Sequence, residues 1–217
     1  MRNLIPADNQ PIDSRFGDNI WVTDLITPEN PDVMLRYLEL TENLHTPEDK
    51  ITALWRYVAN LPYNETIRSK LIVNGYSFSQ SDTWFYPAET MRIKKSNCAN
   101  RSFLLASLLK NGLPAPGQVY CVAGNLAIDS IGAHAWVELN LHGRDFILET
   151  TQPNLGNPLL PVGALANYEA VVAFDENAVY TVYEGANVRN IINAHFGVCA
   201  IPFLEDYICE KCLRLGV

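Results

Sequence analysis

The sequence is short of positive charge: 16 Lys and Arg stand against 24 Asp and Glu, a formal charge of -8 over 217 residues. No basic patch interrupts that balance, so no nucleic-acid partner is expected, because phosphate binding draws on clustered Lys and Arg. Long apolar runs are missing as well. The densest window, Phe103 to Leu109, falls far short of the ~20 residues that span a bilayer, and Met1-Arg2-Asn3-Leu4-Ile5-Pro6-Ala7-Asp8 lacks the apolar stretch of a secretory signal. No membrane partner and a cytoplasmic location are expected. Neither a Walker pattern nor a dinucleotide fingerprint occurs, which argues against nucleotide chemistry, and without Gly-x-Ser-x-Gly a serine hydrolase of the α/β pattern has no support. Cysteines are few: five, at 98, 121, 199, 209 and 212, an odd number without the spacing of a small secreted framework, so reduced thiols are expected. Internal repeats and low-complexity segments are absent too.

What is present is a core-forming composition, 48% hydrophobic and 18% charged, with four Trp, ten Tyr and eight Phe. A chain of this size buries roughly 70% of its unfolded surface as one domain. The expected layout is a single domain over 1–217, with an N-terminal extension at 1–44, a core at 45–155 and a C-terminal extension of strands plus helix at 156–217. After a loop-rich opening, Asn30-Pro31 reads as cap and first helical residue, followed by Val33, Met34, Tyr37, Leu38 and Leu40 at helical spacing. Thr46-Pro47-Glu48-Asp49 is a stronger start, since Thr46 caps and Asp49 answers three residues later, with Ile51, Leu54, Trp55 and Val58 in one stripe. The stretch from Asn74 to Pro87 reads as loop, Ala88–Ile93 as a short helix, and Cys98 to Lys110 as a long one. From Gln118 the texture becomes extended: Val119–Leu126, Ala133–Leu141, Arg144–Thr151, Ala170–Phe174 and Val179–Tyr183, with a turn at Asp175-Glu176-Asn177. Asn154–Leu165 is a candidate linker, and the tail from Ala200 looks helical. Helices followed by antiparallel strands argue for α+β.

Chemistry concentrates at three positions. Ser96 or Asn97 supplies the cap of the helix that Phe103, Leu104, Ala106 and Leu108 mark as buried, and Cys98 therefore sits in its first turn. Unpaired backbone N–H groups and the positive end of the helix dipole favour a thiolate there and offer a place for an oxyanion. A buried Cys used as a small hydrophobe is the alternative reading. His134 lies in a strand pattern, and if His142-Gly143 form a two-residue turn, Leu141 faces Arg144, Trp136 faces Glu149 and His134 faces Thr151. His134 and Glu149 then share one face of the sheet as diagonal neighbours, roughly 5–8 Å apart at Cβ, close enough for the carboxylate to orient the imidazole. A four-residue loop keeps this parity and a three-residue loop breaks it. Cys98, His134 and Glu149 make up a Cys/His/carboxylate set.

These residues carry a resemblance to the transglutaminase-like superfamily of papain-related cysteine enzymes, from about Ile51 to Pro153. Trp55-Arg56-Tyr57-Val58 through Tyr63 is similar to that family's leading helix, Trp84 to Cys98 to the approach to its nucleophile, and Leu104 to Ala115 to the rest of the nucleophile helix and its exit. Gly132-Ala133-His134-Ala135-Trp136-Val137-Glu138 nearly reproduces the family's histidine motif, and Leu148-Glu149-Thr150 falls where the family places its acidic residue, usually Asp. Ser96 stands where the family usually has Gly two residues before the nucleophile. The resemblance implies a papain-like α+β core, with the Cys at the start of a buried helix and the His and acidic residue on an antiparallel sheet. It implies acyl transfer through a thioester, with Cys98 as nucleophile, His134 as acid and base and Glu149 as orienter. The expected substrate is a peptide or protein amide, with hydrolysis favoured; acyl transfer from a protein glutamine to an amine, or a catalytically silent peptide-binding member of the fold, are the alternatives. Trp84 and Tyr63 are candidates for a side-chain oxyanion donor. No cofactor is implied.

His195, Cys199, Cys209 and Cys212 are potential soft-metal ligands, and Cys209-Glu210-Lys211-Cys212 has the gap of a zinc knuckle. Phe203, Leu204, Tyr207, Ile208 and Leu215 mark that stretch as amphipathic helix instead, so packed helical cysteines and no metal are expected. His142 and His45 read as surface residues without partners, and Cys121 as core.

Overall fold

The computed structural model describes residues 5–9, 11–12, 20–63, 69–73, 76–80, 82–112, 118–127, 131–163, 167–182, 184, 187–190, 192 and 198–200. Four helices form where local signals place them. Helix α1 (Pro31–Thr41) is capped by Asn30, whose side chain accepts the Asp32 N–H at 3.0 Å. Helix α2 (Pro47–Ala59) opens on Thr46, whose Oγ1 accepts the Asp49 N–H at 3.1 Å and donates to the Asp49 carboxylate at 2.6 Å. Helix α3 (Pro87–Ile93) follows, and helix α4 (Cys98–Lys110) is capped by Asn97 through the Asn100 N–H at 2.9 Å. Of the two cap candidates it is thus Asn97 that caps. Every residue from Ala99 to Leu109 of α4 is buried. An all-round buried helix must be enclosed on every side, and α1, α2 and α3 surround α4 while the sheet covers its remaining face.

The strands in chain order are β1 (Ile5–Ala7), β2 (Pro11–Ile12), β3 (Ile20–Trp21), β4 (Ser69–Val73), β5 (Tyr76–Gln80), β6 (Asp82–Trp84), β7 (Val119–Ala127), β8 (Ile131–Leu141), β9 (Arg144–Leu148), β10 (Leu160–Pro161), β11 (Tyr168–Phe174), β12 (Val179–Thr181) and β13 (Val198–Ala200). Seven of them form one antiparallel sheet in the order β1-β12-β11-β7-β8-β9-β10. Its helix-facing side joins Cys121, Ala123, Ala135, Val137, Leu139 and Leu148 to α4 in the main core, while Val122, Trp136, Ile147, Ala170 and Ala173 form a smaller cluster on the other side. Phe103 of α4 anchors the main core, edge-on to Trp84 at 5.0 Å and tilted on Phe174 of β11 at 6.0 Å. The fold is α+β, as the order of patterns in the sequence indicates.

The β8–β9 hairpin has the expected two-residue turn. His142 (φ 52°) and Gly143 (φ 76°) both lie in the left-handed region, as the turn that matches strand twist requires. Leu141 pairs with Arg144 and Val137 with Leu148.

Several expectations need correction. Residues 74–87 are not simply loop: β5 pairs with β4, and β6 pairs in parallel with β13, whose Ala200 lies opposite Trp84. That partner comes from the far end of the chain, beyond the reach of a local reading. The opening segment contributes β1, an edge strand on β12, and the proposed linker carries β10, the opposite edge, on β9. The strand read as Arg144–Thr151 stops at Leu148. Ala200 itself is in a strand, and the helix expected beyond it, with Cys209, Cys212 and also His195, lies outside the described residues; of Cys199 only the backbone, in β13, is described. Among the described residues no helix is long and apolar enough to cross a membrane.

Candidate active site

Two local devices and one long-range meeting build the site. The Asn97 cap puts Cys98 in the first turn of α4, partly exposed, in an otherwise buried frame: Asn100 accepts the Phe85 N–H at 2.7 Å through its side-chain oxygen, and Ser102 donates to the Cys98 carbonyl at 2.8 Å. The hairpin turn sets the β8–β9 register as far as Val137–Leu148, and Glu149 follows directly after the strand. His134, 7% exposed, has Nε2 2.7 Å from Oε2 of Glu149, which is 1% exposed. The imidazole is also hydrogen-bonded to the Cys98 side chain. With Nε2 occupied by the carboxylate, Nδ1 is the ring nitrogen left for the thiol.

The Glu149 carboxylate receives four donors. The Thr151 N–H and hydroxyl both reach Oε1 at 2.6 Å, while Tyr168 donates to Oε2 at 2.6 Å beside His134. Such a set satisfies the oxygens and holds their plane. The Glu149 backbone is tied separately, its carbonyl accepting from Trp55 Nε1 of α2 at 2.7 Å.

Arg101 joins the cysteine helix to the acidic segment. It is 2% exposed, and its guanidinium donates to the carbonyls of Thr150 and Leu61 and, through Nε, to Ser96 Oγ at 3.0 Å. The Tyr63 ring lies 4.7 Å from it. Ser96 in turn donates to the Pro62 carbonyl at 2.9 Å, so it serves as a strut between the start of α4 and the segment after α2.

Electrostatics follow from this geometry. Burial disfavours a charged His134, but the hydrogen bonds to Cys98 and Glu149 and their negative charge outweigh it and push the ring's pKa up to about 10. Burial alone lifts the Glu149 carboxyl, yet donation from His134, Thr151 and Tyr168 carries it below its ordinary value. Burial also raises the Tyr168 phenol, and the neighbouring carboxylate raises it further. In Arg101 burial lowers the guanidinium's pKa, against the pull of Tyr63, Glu149 and Cys98. Cys121 is driven well upward by complete burial, which marks it as core, in line with its strand position.

The structure brings together the three residues singled out in the sequence, Cys98, His134 and Glu149. Trp84 is instead in the core against Phe103, and Tyr63 faces Arg101. His142 is exposed but has a partner, contrary to expectation: its Nε2 is 3.1 Å from Glu48 of α2. Three contributors escaped the sequence reading. Arg101 carried a signal, a cation among the apolar positions of α4; Trp55 was visible as part of a stripe and of the leading-helix resemblance, but not its bond to Glu149; Tyr168 had no signal, because it arrives from β11 across two intervening strands.

A cysteine-bearing buried helix packed on an antiparallel sheet that carries the histidine defines a transglutaminase-like fold. LapG of Legionella pneumophila is similar over 79% of this chain and 90% of its own, with a TM-score of 0.52 at 14% identity. Its EGTA-treated form is similar over 82% and 90%, with a TM-score of 0.53 at 14% identity. The likeness is one of fold. No family model and no curated protein matches the sequence.

Proposed function

We propose that this protein is a transglutaminase-like cysteine hydrolase that cleaves a peptide or protein amide through a thioester, with Cys98 as nucleophile, His134 as acid and base and Glu149 as orienter. The observation that carries the reading is the continuous array of thiol, imidazole and carboxylate at the start of α4, with the thiol partly exposed and the other two groups buried. The fold shared with LapG of Legionella pneumophila supports it.

In this mechanism the sulfur of a Cys98 thiolate, paired with a protonated His134, attacks the amide carbon and forms the C–S bond. The oxyanion that develops faces the free N–H groups of the first turn of α4. The intermediate collapses by breaking the C–N bond, and His134 passes its proton from Nδ1 to the departing amine. His134 then takes a proton from water as the oxygen attacks the thioester. Expulsion of the sulfur releases the carboxylic acid and restores the thiolate–imidazolium pair. Glu149 keeps the Nε2–H bond throughout and so holds the tautomer that leaves Nδ1 for the sulfur. Cys98 and Cys121 are both free thiols, which agrees with work in a reducing compartment such as the cytoplasm.

The test is the pH dependence of iodoacetamide labelling at Cys98 in wild type and His134→Ala. An activated thiol reacts well below pH ~8 and loses that reactivity in the variant, whereas identical profiles centred near the ordinary thiol value of about 8.5 refute the reading.

A further inference from the structure

Of the four donors that converge on the Glu149 carboxylate, one comes from outside the 51–153 stretch that resembles the cysteine enzymes. The Tyr168 hydroxyl of β11 donates at 2.6 Å to Oε2, the same oxygen that meets His134. We propose that Tyr168 is a positioning residue, acting through Glu149 on His134, and that the C-terminal third of the chain completes the site by delivering it. This inference rests on the cysteine-hydrolase reading above.

A glutamate needs such a clamp more than an aspartate does. Its extra methylene adds a rotatable bond between backbone and carboxylate, and each freely populated rotamer draws the oxygen away from the imidazole. Thr151 anchors Oε1 from the residue pair next in sequence, but that hold alone leaves Oε2 free to swing about the Oε1 anchor. Tyr168 supplies the second fixed point. With both oxygens held from outside, His134 meets an acceptor whose place does not depend on its own protonation.

The rest of the sheet is arranged to let Tyr168 reach. Its ring stands edge-on to Trp136 at 5.1 Å and 89° and to His134 at 6.0 Å and 66°. Between β8 and β11 runs β7, where Gly124 pairs with His134 on one side and Ala170 on the other. A Cβ at position 124 would lie 2.1 Å from the Glu169 carbonyl oxygen, 2.8 Å from the Trp136 ring and 3.0 Å from the Ala170 Cα. The glycine therefore permits both the Trp136 indole and the β11 backbone to come close. Just past it, β11 shifts register between Ala170 and Val172, a local adjustment of the kind that re-aims neighbouring side chains.

The groups acting on Glu149 are His134 from β8, Tyr168 from β11, Arg101 from α4, and Thr151 beside it, with Trp55 of α2 on its carbonyl oxygen, while Cys98 acts on His134. Loss of one donor makes the carboxylate easier to protonate, and a neutral Glu149 no longer supports the imidazolium. The acid limb of Cys98 reactivity therefore moves upward.

The experiment compares iodoacetamide labelling of Cys98 from about pH 3 to about pH 9 in wild type, Tyr168→Phe, Glu149→Gln and the double variant. Phenylalanine keeps the ring that packs on Trp136 and removes only the hydroxyl. The expected result is an acid limb raised by about 0.5–1 pH unit in Tyr168→Phe, and less than about a twofold further change when the same substitution is made in Glu149→Gln. A profile that overlays wild type overturns the proposal. So does an equal loss in both backgrounds, which would mean that the hydroxyl acts without Glu149. A second variant, Gly124→Ala, should move the acid limb in the same direction by forcing β11 away, and an unchanged profile there counts against the proposal. Failure of the underlying reading is distinct: wild type and His134→Ala would then label alike.

Discussion

Glu149→Gln is the substitution on which the site geometry makes its sharpest demand. The carboxylate accepts at both oxygens, and its partners are not equally adaptable. At Oε1 the Thr151 N–H is a backbone donor that cannot become an acceptor, so a glutamine must place its oxygen there. Its NH2 group then occupies the Oε2 position, facing His134 Nε2 and the Tyr168 hydroxyl. The hydroxyl can rotate and accept. The imidazole can accept only by giving up the proton on Nε2 and carrying it on Nδ1, the nitrogen that Nε2's bond to the carboxylate leaves for Cys98. A neutral ring in that tautomer has no lone pair for the thiol proton, and burial, now unopposed by a neighbouring carboxylate, draws its pKa down from about 10. Loss of the correct tautomer in a triad lowers turnover by about 10⁴-fold in the serine enzymes, and a drop of about 10³–10⁴ is expected here. The assay is single-turnover thioester formation with an activated amide or ester, alongside iodoacetamide labelling. Glu149→Asp, which shortens the side chain but keeps its charge, should recover part of the loss. A Glu149→Gln protein that labels below pH ~7 as fast as wild type, or keeps more than about a tenth of the acylation rate, would refute the reasoning about donors and tautomers.

Two further outcomes concern stability. Arg101→Met removes the donor shared by the Thr150 and Leu61 carbonyls and Ser96, and leaving these buried acceptors unpaired should cost about 3–5 kcal/mol in all. That corresponds to a Tm lower by roughly 10–15 °C in thermal unfolding, and a shift under about 2 °C would show that these bonds carry little. The pH dependence of stability follows from His134 and Glu149. The histidine's raised pKa contributes stability that is fully present below its unfolded value of about 6.5 and is lost as pH climbs towards about 10. The glutamate's lowered pKa contributes stability that is present above about 4.3 and lost as pH falls through its folded value. Urea unfolding of wild type should therefore weaken at both extremes, and His134→Ala should flatten the alkaline side. An alkaline limb of the same depth in both proteins would contradict the assignment.

Local chemistry made part of this molecule readable. Thr46 with Asp49, and Asn30 with Pro31, announce helix starts within a few residues, because capping is a matter of nearest backbone N–H groups. His142-Gly143 pointed to the hairpin register by the same logic: two residues suited to positive φ make a two-residue turn, which keeps Glu149 in parity with His134 where a three-residue loop would not. What stayed hidden is long-range. Nothing around Asp82–Trp84 signals a partner at Val198–Ala200, over a hundred residues later, so a paired strand read as loop. Tyr168 is one tyrosine among ten, and its place at Oε2 depends on the β11–β7–β8 order and on Gly124, none of which is visible as a pattern in sequence. Arg101 lay between these cases: its charge among the apolar positions of α4 was legible, its three acceptors were not.

The enclosure of α4 has a consequence for how such a molecule can diverge. A rod with neighbours on all sides has no free surface on which substitutions accumulate quietly, so the sulfur it presents stays at a fixed address while the surrounding frame resists change. Novelty in what is recognised must then arise outside it, among the turns and outer strands of the sheet. Two descendants of one ancestor would differ most in their margins and least in the pillar at their centre.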